Sequence, residues 1–186
     1  MAATESPPSN IVLVGFMGCG KSTVGRELRK LLGYPLVDTD RLIEARAGCS
    51  ISELFARGGE QAFRELETEV LRELAGAGGG SRIIATGGGI ILREENRTLL
   101  RSLGCVVWLR APVETIVRRT GRSRERPLLR TADPQARIEA LLAERDPYYR
   151  SAAHLDVDTE GLSCNEVACG ILESARYFFA GKAGRP

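Results

Sequence analysis

One stretch of nine residues restricts the fold of this chain more than any other: Gly15-Phe16-Met17-Gly18-Cys19-Gly20-Lys21-Ser22-Thr23. It satisfies the pattern GxxxxGK[ST], and it stands between an apolar run over 11–14 and a helix-period segment over 21–32. Phosphate oxygens need several donors converging on one point. Glycines let the backbone curl so that successive N–H groups and the positive end of the following helix face inward. Lys21 adds a mobile positive charge and Ser22 offers a hydroxyl to Mg²⁺. Gly18, Cys19, Gly20 and Thr23 complete the set expected around a bound nucleotide phosphate.

The rest of the chain repeats the strand-then-helix alternation. Near-continuous apolar runs over 11–14, 35–37, 82–85 and 105–109, with a weaker one over 155–158, predict strands buried on both faces. Helix-period segments lie over 21–32, 59–74, 94–103, 112–120, 134–144 and 166–178. This order predicts an α/β fold with a parallel sheet covered on both sides and ligands outside the carboxyl ends of the strands. A chain of 186 residues is enough for one core. The expected organisation is a disordered leader over 1–9, a single domain over 10–180 and a flexible tail over 181–186.

Composition removes other classes. With 43% hydrophobic and 27% charged residues, the chain is not disordered, collagen-like or coiled-coil. No apolar run approaches the roughly 18 residues of a membrane span, and the leader has neither the basic start nor the apolar stretch of a secretory signal. Cys19, Cys49, Cys105, Cys164 and Cys169 contain no CxxC spacing, which argues against a disulfide framework or a zinc site, so a cytoplasmic location is expected. A net charge of +2 gives no reason to expect a nucleic-acid partner.

Nucleotide binding leaves several classes open. The NKxD motif of a GTPase is absent and the chain is short for a motor ATPase, so a kinase for a small acceptor leads. Four further features fit that class. Asp38 and Asp40 place carboxylates at i and i+2 where a strand gives way to a helix; either is also an ordinary helix cap. Glu60 and Glu67 lie at i−4 and i+3 from Arg64, so either could fix its side chain, as could a solvated ion-pair face. Gly87-Gly88-Gly89 follows the third strand and permits close backbone approach to a ligand, or an ordinary turn. The stretch 118–130 carries six arginines against Glu125, a charge excess that should keep it open until an anion arrives; that is lid behaviour.

Taken together, GFMGCGKST from Gly15, DTD from Asp38, GEQAFRELE from Gly59, TGGG from Thr86, RP at Arg126-Pro127 and YYR ending at Arg150 resemble the shikimate kinase family. That resemblance implies a P-loop NTPase of nucleoside monophosphate kinase type. Its sheet would have five parallel strands flanked by helices, with a mobile lid over about 118–133. It implies transfer of the γ-phosphoryl of ATP to the 3-hydroxyl of shikimate, with ATP and Mg²⁺ as cofactors and no membrane or nucleic-acid partner. A monomer is expected. Residue by residue, it implies that Ser22 and Asp38 serve the metal and that Asp40 binds the acceptor hydroxyls as the candidate base. Arg64 and Arg150 would hold the shikimate carboxylate, and Gly87, Gly88 and Gly89 would line its pocket. Arg119 would lie near adenine and phosphates, and Arg126 would reach the transferring group beside Lys21. Tyr148 and Tyr149 are expected to position Arg150 by packing. His154 and Trp108 are read as structural. Two alternatives stay open: a gluconate or nucleotide kinase of the same fold, and a nucleotide-binding regulatory module without turnover.

Overall fold

Side-chain alternation along the first strand divides the core. In β1 (Asn10–Val14), Ile11 and Leu13 join one buried cluster while Val12 and Val14 join another, as residues pointing to opposite faces must. The first cluster is closed by Val24 and Leu28 of α1 (Lys21–Leu32) and by Val167 and Ile171 of α7 (Cys164–Ala183). The second is closed by Leu71 of α3 (Ile51–Gly76), Leu100 of α4 (Glu94–Leu103) and Tyr149 of α6 (Pro134–Ala152). Helices therefore cover both faces, which is what near-continuous apolar strands require.

The computed structural model describes residues 10–78, 80–121 and 133–183. The expected leader, the centre of the expected lid including Arg126, and the end of the expected tail lie outside the described residues. β1 is joined in a parallel sheet by β2 (Leu36–Asp38), β3 (Ile83–Ala85), β4 (Gly104–Arg110) and β5 (Leu155–Asp158), in the order β2-β3-β1-β4-β5. Sequence order reverses around β1, so the segments after β1, β2 and β3 emerge side by side at one carboxyl edge. Two further helices stand at that edge. In α2 (Thr39–Ala47), Ile43 packs against Phe63 and Val70 of α3. In α5 (Val113–Thr120), Ile116 packs with Phe16, Ile138 and Leu141.

Helices α1 and α4 coincide with the segments expected over 21–32 and 94–103. Others differ for identifiable reasons. The expected start at residue 59 is a kink: Gly59 takes φ 70° and ψ −174°, and helix continues on both sides of it. The earlier half begins at a capping box in which Ser50 Oγ accepts from the Glu53 N–H and Glu53 Oε2 accepts from the Ser50 N–H. Helix α6 runs past the expected end at 144, through Pro147, to Ala152. Proline removes one backbone bond, but Tyr149 and Ala152 beyond it are buried, and their packing keeps the chain helical.

His154 is a satisfied histidine, its Nδ1 accepting from the Val106 N–H at 3.0 Å, and Trp108 is in the core. Among the described residues no disulfide is formed, and no helix is long and apolar enough to cross a membrane.

Candidate active site

Backbone conformation builds the phosphate side. Gly15 and Gly20 have φ of 142° and 107°, which side-chain-bearing residues rarely adopt. A Cβ on Gly15 would collide with the Leu109 carbonyl and lie 2.9 Å from Cys19 Sγ. Gly20 caps α1, and among the described residues no protein acceptor meets the N–H groups of Gly20, Lys21 and Ser22. Those donors and the positive helix end face the cavity, as an anion requires. Lys21 is 9% exposed and its Nζ donates to the carbonyls of Gly15 at 2.7 Å and Phe16 at 3.0 Å. Arg119 Nη1 donates to the Gly18 carbonyl at 3.0 Å, which brings a second cation onto the loop from α5.

Gly18, Gly20, Lys21, Ser22 and Thr23 all line the cavity, and Cys19 does not. The Cys19 thiol belongs to the core beneath the loop, and its N–H is already used by the Phe16 carbonyl at 3.2 Å. A small apolar side chain at the tightest point of the turn packs inward, so the Cys19 thiol is not among the groups that line the cavity.

The acceptor side is assembled by α2, α3 and the loop after β3. Asp38 is indeed a helix cap, one oxygen accepting from the N–H groups of Asp40 and Arg41, and it still lines the cavity. Asp40 follows in the first turn, with its Oδ1 buried and unpaired among the described residues. Burial, then the nearby Asp38 charge, pushes the Asp40 carboxyl up to about 6 against the pull of Lys21. Arg64 is held from both sides: Nη2 donates to Glu60 at 2.8 Å and Nη1 to Glu67 at 2.6 Å. Both spacing partners are used. Glu67 is buried, and burial pushes its carboxyl up to about 7 despite Arg64.

Gly87, Gly88 and Gly89 all line the cavity. Side chains are excluded there by their neighbours: a Cβ on Gly87 would lie 2.5 Å from Asp40 Oδ1, and one on Gly89 2.5 Å from Arg64 Nη2. Phe55 and Phe63, with ring centroids 5.0 Å apart, supply an apolar wall.

Arg150 is placed elsewhere. Its side chain is exposed, pairs with Asp146 at 3.1 Å and lies 5.5 Å from the Trp108 ring, and it does not line the cavity. The residue that α6 turns inward is Arg145, 3% exposed, stacked over the Phe16 ring at 5.6 Å, with its Nε unpaired among the described residues. Five residues along a helix is far from a whole number of turns, so 145 and 150 cannot share a face. A signal was present: Ile138, Leu141, Arg145, Tyr149 and Ala152 form one buried stripe at helical spacing, with an arginine in it. Reading that stripe required carrying the helix through Pro147. The Tyr149 hydroxyl on the same stripe donates to the Gly88 carbonyl at 2.5 Å.

These groups surround one cavity of about 930 Å³. Phosphate-loop residues, together with the cluster of Asp40, Arg64 and Arg145, line it. The Ser22 hydroxyl and the Asp38 carboxylate, both lining it, are hard oxygen donors of the kind Mg²⁺ takes alongside phosphate oxygens. Fold and site define a P-loop kinase for a small anionic acceptor.

The shikimate kinase family model matches residues 17–176. The shikimate kinase of Thioalkalivibrio sulfidiphilus is 47% identical over 170 residues, covering 91% of this chain and 87% of that protein. The shikimate kinase of Symbiobacterium thermophilum is 49% identical over 166 residues, covering 88% and 94%. Among solved structures, shikimate kinase from Acinetobacter baumannii in complex with shikimate superposes with a TM-score of 0.86 at 42% identity, covering 91% of this chain and 93% of that one. A gluconokinase from Sinorhizobium meliloti shares the fold, with a TM-score of 0.59 at 16% identity. The chain belongs to the shikimate kinase family, ATP-dependent kinases of the shikimate pathway to aromatic amino acids.

Proposed function

We propose that this cavity transfers the γ-phosphoryl group of ATP to the 3-hydroxyl of shikimate, giving shikimate 3-phosphate and ADP. The observation that carries the reading is the opening of the Lys21 cradle and the Asp40, Arg64 and Arg145 cluster into one space. Shikimate is a small anion, and a guanidinium donates two parallel hydrogen bonds to a carboxylate, so Arg64 and Arg145 hold the acid. Gly88 and Gly89 allow the ring to approach the backbone closely, and the Phe55 and Phe63 wall accepts its apolar face.

Asp40 takes the hydroxyl proton. In-line phosphoryl transfer has a loose transition state in which that proton leaves late, so a carboxylate raised to about 6 is basic enough. The Lys21 ammonium and the N–H groups at the start of α1 balance charge on the phosphates. Ser22 and Asp38 would hold Mg²⁺, which supplies further neutralisation of phosphate charge when bound. Arg119 steadies the loop from α5. Arg126, read from the sequence and outside the described residues, would add positive charge at the transferring group. The enzyme works as a cytoplasmic monomer.

ADP release is the test, with shikimate present, absent, or replaced by gluconate or nucleoside monophosphates. Release that depends on shikimate is the expected result. Equal release with gluconate, or none with any acceptor, overturns the reading in favour of another small-acceptor kinase or a regulatory module.

A further inference from the structure

The phenol of Tyr149 is tied to the loop after β3. It donates to the Gly88 carbonyl at 2.5 Å. Tyr149 is 1% exposed, and its ring stacks on Trp108 of β4 with centroids 5.6 Å apart and planes 14° from parallel. The ring cannot swing without breaking that stack. Burial pushes its ionisation well above the ordinary phenol value, so the O–H remains a donor wherever the protein is folded.

Gly88 lies where three parts of the site meet. A Cβ there would stand 3.1 Å from the Met17 nitrogen and 3.4 Å from the Gly15 carbonyl of the phosphate loop, and the next residue, Gly89, abuts the Arg64 guanidinium. The Gly88–Gly89 peptide is trans and planar, so fixing its carbonyl toward Tyr149 aims the Gly89 N–H to the opposite side. Among the described residues, no hydrogen bond engages that N–H or the one at Gly88.

We propose that Tyr149 is a positioning residue for the acceptor: its hydroxyl sets the Gly88–Gly89 peptide, and so fixes where the acceptor lies relative to the phosphate loop. The proposal rests on the shikimate kinase reading of the cavity. Tyr149 touches neither substrate and moves no proton. Its effect is to tie the loop after β3 to α6, which its stack on Trp108 holds in place. Without the hydroxyl, the Gly88 carbonyl loses a buried partner and the peptide relaxes.

The experiment is Tyr149→Phe in the full chain, which keeps the ring and its stack on Trp108. Initial rates are measured against shikimate and against ATP, with melting temperature and Trp108 emission recorded to confirm the fold. The expected result is a KM for shikimate raised about tenfold, a KM for ATP unchanged within about twofold, and a smaller fall in kcat. Trp108→Phe, which loosens the stack but keeps the phenol, should raise the shikimate KM by about two- to threefold and keeps the test open if Tyr149→Phe does not fold. A shikimate KM unchanged in both variants, or a parallel rise for ATP, would overturn the proposal. Absence of shikimate-dependent turnover in the unsubstituted protein would instead remove the reading on which it rests.

Discussion

The carboxylates of Asp40 and Glu67 converge on one point beside Gly87, where a Cβ would lie 2.5 Å from Asp40 Oδ1 and 3.2 Å from Glu67 Oε1. Neither oxygen has a partner among the described residues. Burial raises Asp40 from 3.8 to about 6 and Glu67 from 4.5 to about 7, and the Asp40 charge adds to the rise at Glu67. The folded chain therefore binds more protons than the unfolded chain between these ordinary and raised values. The stability these groups contribute is full below about 4 and is lost as pH rises through 6 to 7. Thermal unfolding across pH 4 to 8 should show that decline, and Glu67→Gln should flatten it. Identical slopes in the two proteins would remove the assignment. Turnover should follow the opposite sign, because Asp40, as the proposed base, must be ionised: kcat should fall as pH drops below about 6.

On the proposed reading, Arg64 has two functions that one substitution cannot separate. Arg64→Ala should weaken shikimate binding by about a hundredfold with ATP binding nearly intact. It also strips Glu67 of its partner in a buried site, at a cost on the order of 3 kcal/mol in stability. Adding Glu67→Gln should restore much of the melting temperature without restoring shikimate affinity. Calorimetric titration of both ligands, beside thermal melts, checks this; loss of both affinities together would refute the acceptor role.

The two arginines of α6 give a sharper contrast. Arg145→Met keeps the apolar packing over Phe16 but removes the guanidinium, and should raise the shikimate KM at least about tenfold. Arg150→Ala removes an exposed pair with Asp146 and should change it less than about twofold. The reverse order in steady-state kinetics would restore Arg150 to the site.

Lys21→Ala tests the cradle. The ammonium is held by the Gly15 and Phe16 carbonyls at the centre of the loop, so its loss should cut kcat about a thousandfold while the circular dichroism spectrum stays native. Retained turnover would contradict the placement.

Local chemistry was legible in the letters of the chain. The Gly15 to Thr23 loop, the Asp38 and Asp40 pair and the Glu60, Arg64, Glu67 face each lie within one strand-to-helix junction or one helix surface, where spacing along the chain fixes spacing in the molecule. The strand and helix alternation likewise predicted the parallel sheet, because burial on two faces leaves continuous apolar runs. What spacing left open was which groups would be used: Asp38 is both a cap and a wall of the cavity, and only the folded chain shows both.

Tertiary packing decided the rest. Cys19 turned inward because the loop closes against β4, and Arg145 replaced Arg150 because inner-face burial carried α6 through Pro147. The Tyr149 bond to Gly88 joins residues 61 positions apart, and no periodicity records such a pairing. Sequence by itself determined the phosphate loop, the sheet and the stock of charged groups, since those depend on neighbours along the chain. Structure alone decided which arginine enters the cavity and how far two carboxyls titrate from their ordinary values, because both depend on what other elements exclude water from the site.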